Sequence, residues 1–128
     1  MTAEEWAQIR YFKPREVACP HCLVERMDLN FMKRLDDARE QFGRPIIVTS
    51  GYRCETHNQS EEVGGSPTSA HLKGLALDVS DKKDPVYRGA LIEACQLAGL
   101  RQFEVSRDGH LHIMADSNKP SPFLGIES

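Results

Sequence analysis

The sequence predicts an α+β fold, a small antiparallel sheet with helices packed mainly on one face. Three observations lead there. Helical patterns come first, and strand-like runs follow with one late helix among them. The last two runs flank Arg107-Asp108-Gly109, a hairpin turn signal. At 128 residues the chain suits one domain, residues 1–128, with a core of its own.

Each element has a local cause. Thr2-Ala3-Glu4-Glu5 has capping-box spacing and predicts a short helix over 3–9. Pro14 and the Cys19/Cys22 pair mark an irregular stretch. Asp28 reads as the N-cap of a helix from Leu29 to Phe42, stopped by Gly43. Phe31, Met32, Leu35, Ala38 and Phe42 recur at helical spacing and define its core face. Residues 45–50 are β-branched and predict a buried strand that Gly51 ends. Residues 54–68 are polar, with Gly64-Gly65-Ser66-Pro67 as a loop signal. Leu75 to Ser80 predicts a second strand. Asp84-Pro85 opens a helix that runs to about Leu97 and stops at Gly99, with Cys95 as a small core residue. Gln102–Ser106 and His110–Met114 form the hairpin strands, and the last dozen residues read as an extended tail.

Composition narrows the function. The chain is 40% apolar and 27% charged with a net charge of −3, which gives nucleic acid or an anionic membrane no electrostatic footing. No run is long enough for membrane insertion, and the N-terminus lacks a secretory apolar core. The expectation is a protein made in the cytoplasm, monomeric, and released by other means if it acts outside.

The chemistry concentrates in Ser69-Ala70-His71-Leu72-Lys73-Gly74-Leu75-Ala76-Leu77-Asp78 and His110-Leu111-His112. Two imidazoles and a carboxylate suit Zn2+, and three protein ligands leave a position open for water, as catalytic zinc requires. His71 and Asp78 are seven positions apart, so a bend at Gly74 is needed to bring them together. Strand alternation turns Leu75, Leu77 and Val79 to one face and Ala76, Asp78 and Ser80 to the other. His110 and His112 share a face for the same reason, and either completes the set. Cys19-Pro20-His21-Cys22 is a single Cys-x-x-Cys, readable as half a metal knuckle, a reducible disulfide or two inert thiols. The structural or inert reading is preferred, since a thioredoxin-type site needs a strand-to-helix context that the flanks do not supply.

Ser50-Gly51-Tyr52-Arg53, His57-Asn58, Val63-Gly64-Gly65, the Ser-x-His-x-x-Gly-x-Ala-x-Asp run and Leu111-His112-Ile113 together resemble the zinc D-Ala-D-Ala carboxypeptidase family, peptidase M15, in its short bacterial and phage members. The resemblance covers residues 45–114 and implies an M15/Hedgehog-like zinc peptidase fold. It implies His71, Asp78 and His112 as zinc ligands, and Arg53 as the holder of substrate oxygens and the developing oxyanion. It implies that Ser69 lines the substrate cleft and that Tyr52 and the Asn58–Gly65 loop shape it. Many relatives carry an acid three positions before the last zinc histidine, where this chain has Gly109. The general base therefore stays open among Asp108, His110 and Glu104, with His110 preferred because it shares a face with His112.

The implied function is hydrolysis of peptidoglycan stem or cross-link peptides, as a D,D-carboxypeptidase or endopeptidase, in a phage or prophage lysis or tail setting. Two rivals stand beside it. One is a non-catalytic zinc-containing wall-binding module, motivated by Gly109. The other is a zinc-knuckle nucleic-acid binder, which the acidic balance opposes.

Overall fold

The computed structural model describes residues 1–60 and 69–127. The sequence features at 61–68, including Val63-Gly64-Gly65 and most of the proposed cleft loop, lie outside the described residues. Short helices α1 (Ala3–Trp6) and α2 (Pro14–Val17) precede the long helix α3 (Leu29–Phe42). Strand β1 (Val48–Ser50) leads to α4 (Glu55–Asn58), a 3-10 turn at Ala70–Lys73, and β2 (Ala76–Ser80). Helix α5 (Pro85–Leu97), strands β3 (Gln102–Val105) and β4 (His110–Met114), and β5 (Phe123–Ile126) complete the chain.

The caps act where the sequence puts them. Thr2 and Glu5 form a reciprocal capping box on α1, and Asp28 accepts the Phe31 N–H at the start of α3. Gly43 closes α3 in the left-handed region, and Asp84 caps α5 ahead of Pro85. Helix α2 was not foreseen, because four residues carry too little periodicity to register.

The five strands lie in the order β1-β2-β4-β3-β5. The α+β expectation holds, with one change to the sheet. Its first four strands pair antiparallel, whereas β5 runs parallel to β3, so the sheet is mixed. The expected tail is therefore a strand. β4 ends beside the start of β3, where Gln102 pairs with Met114, and β5 begins there too, where Gln102 pairs with Phe123. A short connection thus gives a parallel pair without a long crossover. The Gln102 side chain organises it by donating to the carbonyls of Asp116, Lys119 and Pro120. β1 is also shorter than expected, with Ile47 exposed and the register shifting between Val48 and Ser50. An edge strand has one unpaired side, so its β-branched residues need not all be buried.

The core lies between the sheet and helices α3 and α5. Leu77, Val79, Phe103, Leu111 and Ile113 of the sheet meet Phe31, Met32, Leu35 and Leu91 there. Among the described residues the opposite face carries a small apolar cluster of buried Ala70, Ala76 and Met114. That polar face is where Asp78 and His112 project. Among the described residues no helix is long and apolar enough to cross a membrane.

Asp36, on α3, is buried and ties the N-terminal segment down. It accepts the backbone N–H groups of Arg10 and Tyr11 and the Arg10 Nε–H at 2.9 Å. Replacing Asp36 with Ala strands those two amides, so stability is expected to fall by about 2–3 kcal/mol, read as a lowered urea midpoint. An unchanged midpoint would mean that water replaces the carboxylate.

Candidate metal centre

Register places the site. Ser50, Asp78, His112 and Glu104 are consecutive partners across β1, β2, β4 and β3, so their side chains line one row on the polar face. His71 reaches this row from the 3-10 turn. Ser69 caps the turn by accepting the His71 N–H, and Gly74 ends it in the left-handed region. The Gly74 carbonyl accepts the Asp28 N–H, and a Cβ at 74 would stand 2.0 Å from the Arg26 carbonyl oxygen. Only glycine permits that approach and that φ of +69° together. The bend expected at Gly74 is what folds His71 back over Asp78.

The donor atoms of His71, Asp78 and His112 all lie within 4.8 Å of one another. His112 Nδ1 is 2.7 Å from Asp78 Oδ1, and the two imidazole centroids are 5.1 Å apart. His71 is buried, and its Nδ1 lies 2.7 Å from the Gly51 carbonyl oxygen. A carbonyl only accepts, so Nδ1 carries the proton, and in the neutral ring Nε2 carries a lone pair. That Nε2 is buried, lies 3.4 Å from Asp78 Oδ2, and makes no hydrogen bond among the described residues. A lone pair facing a carboxylate oxygen is repulsive unless a cation lies between them. The carbonyl behind the ring fixes its tautomer, as outer partners do for metal-binding histidines. The donor set and the orphaned nitrogen both fit a divalent metal.

Burial of Asp78 would raise its pKa, but the hydrogen bond with His112 and the closeness of both imidazoles hold the carboxyl well below the usual range. Arg53 adds a further contact, donating from its NH2 group to Asp78 Oδ2 at 3.2 Å. Its Nε donates to Ser50 Oγ and its NH1 to Asn58 Oδ1. Arg53 is thus held beside the three donors with its guanidinium already oriented.

The other candidates are distributed unevenly. Ser69 uses its hydroxyl as the cap described above. Tyr52 is buried in the main core, and its N–H binds the Val17 carbonyl, so its position serves packing. His110 does share the face of His112, but its ring lies between Ser106 Oγ at 3.0 Å and Glu127 Oε2 at 3.1 Å. Asp108 stands exposed at the hairpin tip, its N–H donating to Ser106 Oγ. Glu104 is directly opposite His112, with its carboxylate 2.5 Å from Lys119 Nζ. Ser50 and Asn58 escaped the sequence reading as partners of Arg53. The three-residue spacing from Ser50 to Arg53 was the available signal.

A second group of donors also comes together. Cys19, Cys22 and Cys54 bring their sulfurs within 4.8 Å of one another. Burial would raise the Cys19 thiol, but backbone N–H groups of Cys54, Cys22 and His21 bring it down to about 7. The structural or inert reading of Cys19 and Cys22 did not include Cys54, which joins Cys19 from 35 positions away.

A sequence model described as peptidase M15 matches residues 10–114, which include both groups of donors. No curated protein matches the chain.

Two glycines give a matched test of the turn. Gly74→Ala forces a backbone clash at positive φ and is expected to destabilise by more than about 1 kcal/mol. Gly89→Ala, in α5 with open space around it, is expected to stabilise by about 0.5–1 kcal/mol. Thermal melts of both variants check the contrast, and a neutral Gly74→Ala would remove the close approach from the account.

Proposed function

The chain belongs to the peptidase M15 family, and from that premise we propose a zinc-dependent peptidase that hydrolyses peptidoglycan stem or cross-link peptides. The observation that carries the metal reading is the buried, unbonded His71 Nε2 facing Asp78 beside His112. The substrate class rests on the family and on the Ser-x-His-x-x-Gly-x-Ala-x-Asp run. A D,D-carboxypeptidase or endopeptidase in a phage or prophage lysis setting is the specific form proposed.

His71, Asp78 and His112 would hold the zinc, whose chemistry is to lower the pKa of a water towards about 7 and to polarise a carbonyl. Arg53 would donate to the substrate's carbonyl or carboxylate oxygen, and its contacts to Ser50 and Asn58 orient it for that. Glu104 is the better general base than His110 or Asp108. It faces the same row from the strand next to His112, whereas His110 has both ring nitrogens engaged and Asp108 points from a turn. Glu104 would take the attacking water's proton and return it to the leaving amine. Lys119 fixes the carboxylate's position through its ion pair.

Gly109 explains why the base is not at the position common among relatives. It sits at φ +89° in the hairpin turn, where an acidic side chain would be strained. A carboxylate on the neighbouring strand, Glu104, offers an alternative source of the base.

Zinc content and muropeptide digestion test the reading together. His71→Ala is expected to lower bound zinc by about one ion per chain and to abolish cleavage. Unchanged zinc in that variant would overturn the assignment. Glu104→Gln is expected to keep its zinc and lose about 10²–10⁴-fold in kcat. Full activity in Glu104→Gln would return the role to His110. Muropeptide binding without cleavage by the wild type would favour the wall-binding alternative.

A further inference from the structure

Cys19 and Cys22 sit on the loop that follows α2, and Cys54 comes directly after Arg53. No disulfide joins any of the four cysteines. Cys19 Sγ and Cys54 Sγ are 3.6 Å apart, far beyond the bond length of about 2.05 Å that a disulfide requires. The separation is instead close to the roughly 3.8 Å edge of a tetrahedron whose metal–sulfur bonds are about 2.3 Å. His21 Nδ1 stands 3.4 Å from Cys54 Sγ and brings an imidazole beside one of the three thiols.

We propose that Cys19, Cys22 and Cys54 form a second, structural site for a soft divalent ion of the zinc class, with His21, beside Cys54, as a candidate fourth donor. Thiolates and an imidazole are the donor set that selects zinc over harder ions. The Cys54 N–H already donates to Cys19 Sγ at 3.4 Å, as expected where a thiolate is stabilised. The loop is wound to suit it. The Cys19 N–H binds the Val24 carbonyl, the Leu23 N–H binds the Cys19 carbonyl, and Leu23 takes φ +62°. Leucine is disfavoured in that left-handed region, so the knuckle conformation is held against a local preference. Cys95 lies outside the cluster, buried in α5, and burial pushes its thiol up to about 12.

The location gives the ion a structural purpose. The Val17 carbonyl accepts the Tyr52 N–H, and a Cβ on Gly51 would come within 2.5 Å of that same oxygen. The segment before the knuckle therefore packs against the segment that supplies the Gly51 carbonyl to His71 and the Arg53 guanidinium to Asp78. An ion shared by Cys54 and the knuckle would staple the two together. Each thiol would release its proton on binding, with no change in oxidation state.

Cobalt(II) titration of the reduced full-length chain separates this site from the histidine site. In His71→Ala, one bound cobalt with a strong thiolate-to-metal charge-transfer band in the near ultraviolet is expected. Adding Cys22→Ser, at an exposed position, should remove that band while circular dichroism stays unchanged. Because the double variant could instead misfold, the wild-type zinc protein is also titrated with an organomercurial. Release of about one zinc per chain as the thiols are blocked supports the site. Cobalt binding without a thiolate band, retention of the band in the double variant, or no zinc release on mercurial titration overturns it. Recovery of a Cys19–Cys54 disulfide from anaerobically purified, metal-supplied protein overturns it as well. None of these outcomes depends on zinc at His71, Asp78 and His112.

Discussion

Asp78 is a buried carboxylate, and most of the polar half of the molecule is arranged around it. A charge removed from water is tolerated only where partners replace the lost hydration. Here His112 and Arg53 contact its two oxygens directly, and His71 Nε2 stands 3.4 Å away with room for a cation to serve both. Each of those partners is in turn anchored, His71 by the Gly51 carbonyl, Arg53 by Ser50 and Asn58, and His112 by strand pairing with Asp78 itself. The pull on Asp78 is therefore a property of the assembled fold.

The two faces of the sheet divide the labour. One is filled by α3 and α5 over a continuous apolar core, which supplies the rigidity that a row of charged side chains cannot supply. Among the described residues the other carries only a small apolar cluster, which leaves the row from Ser50 to Glu104 to polar side chains. Strand alternation links the two, because every core residue on β2 or β4 has a neighbour aimed the other way. A register slip of one residue would put Asp78 into the core and Leu77 into the site. Register is thus held by the hydrophobic face and read out on the polar one.

Close backbone approaches complete the arrangement. Gly51 against Val17 and Gly74 against Arg26 bring segments of the N-terminal third within contact of the loops that flank the site. This gives the N-terminal third a function beyond covering the core. It also explains why the cysteine loop lies next to Cys54, since the same contact between Val17 and Tyr52 draws them together.

Local chemistry was legible wherever it acts over a few residues. Asp28, Gly43 and Asp84 mark helix ends in the sequence because caps satisfy nearby backbone groups, and the structure uses each one. The face of Asp78 and the bend at Gly74 were legible for the same reason, as alternation and a left-handed turn are local properties. The length of β1, the strand at 123–126 and the buried role of Asp36 were not legible. Each depends on which edge, turn or amide a distant segment happens to meet.

By itself, then, the sequence determined the order of the two long helices and the first four strands, the α+β class, and which residue types could bind a metal. Only the tertiary structure decided that Glu104 rather than Asp108 stands beside His112, and that Cys54 joins Cys19 and Cys22. Strand register and backbone contact between distant segments make those choices. Both are set by how the whole core packs, which no short stretch of sequence encodes.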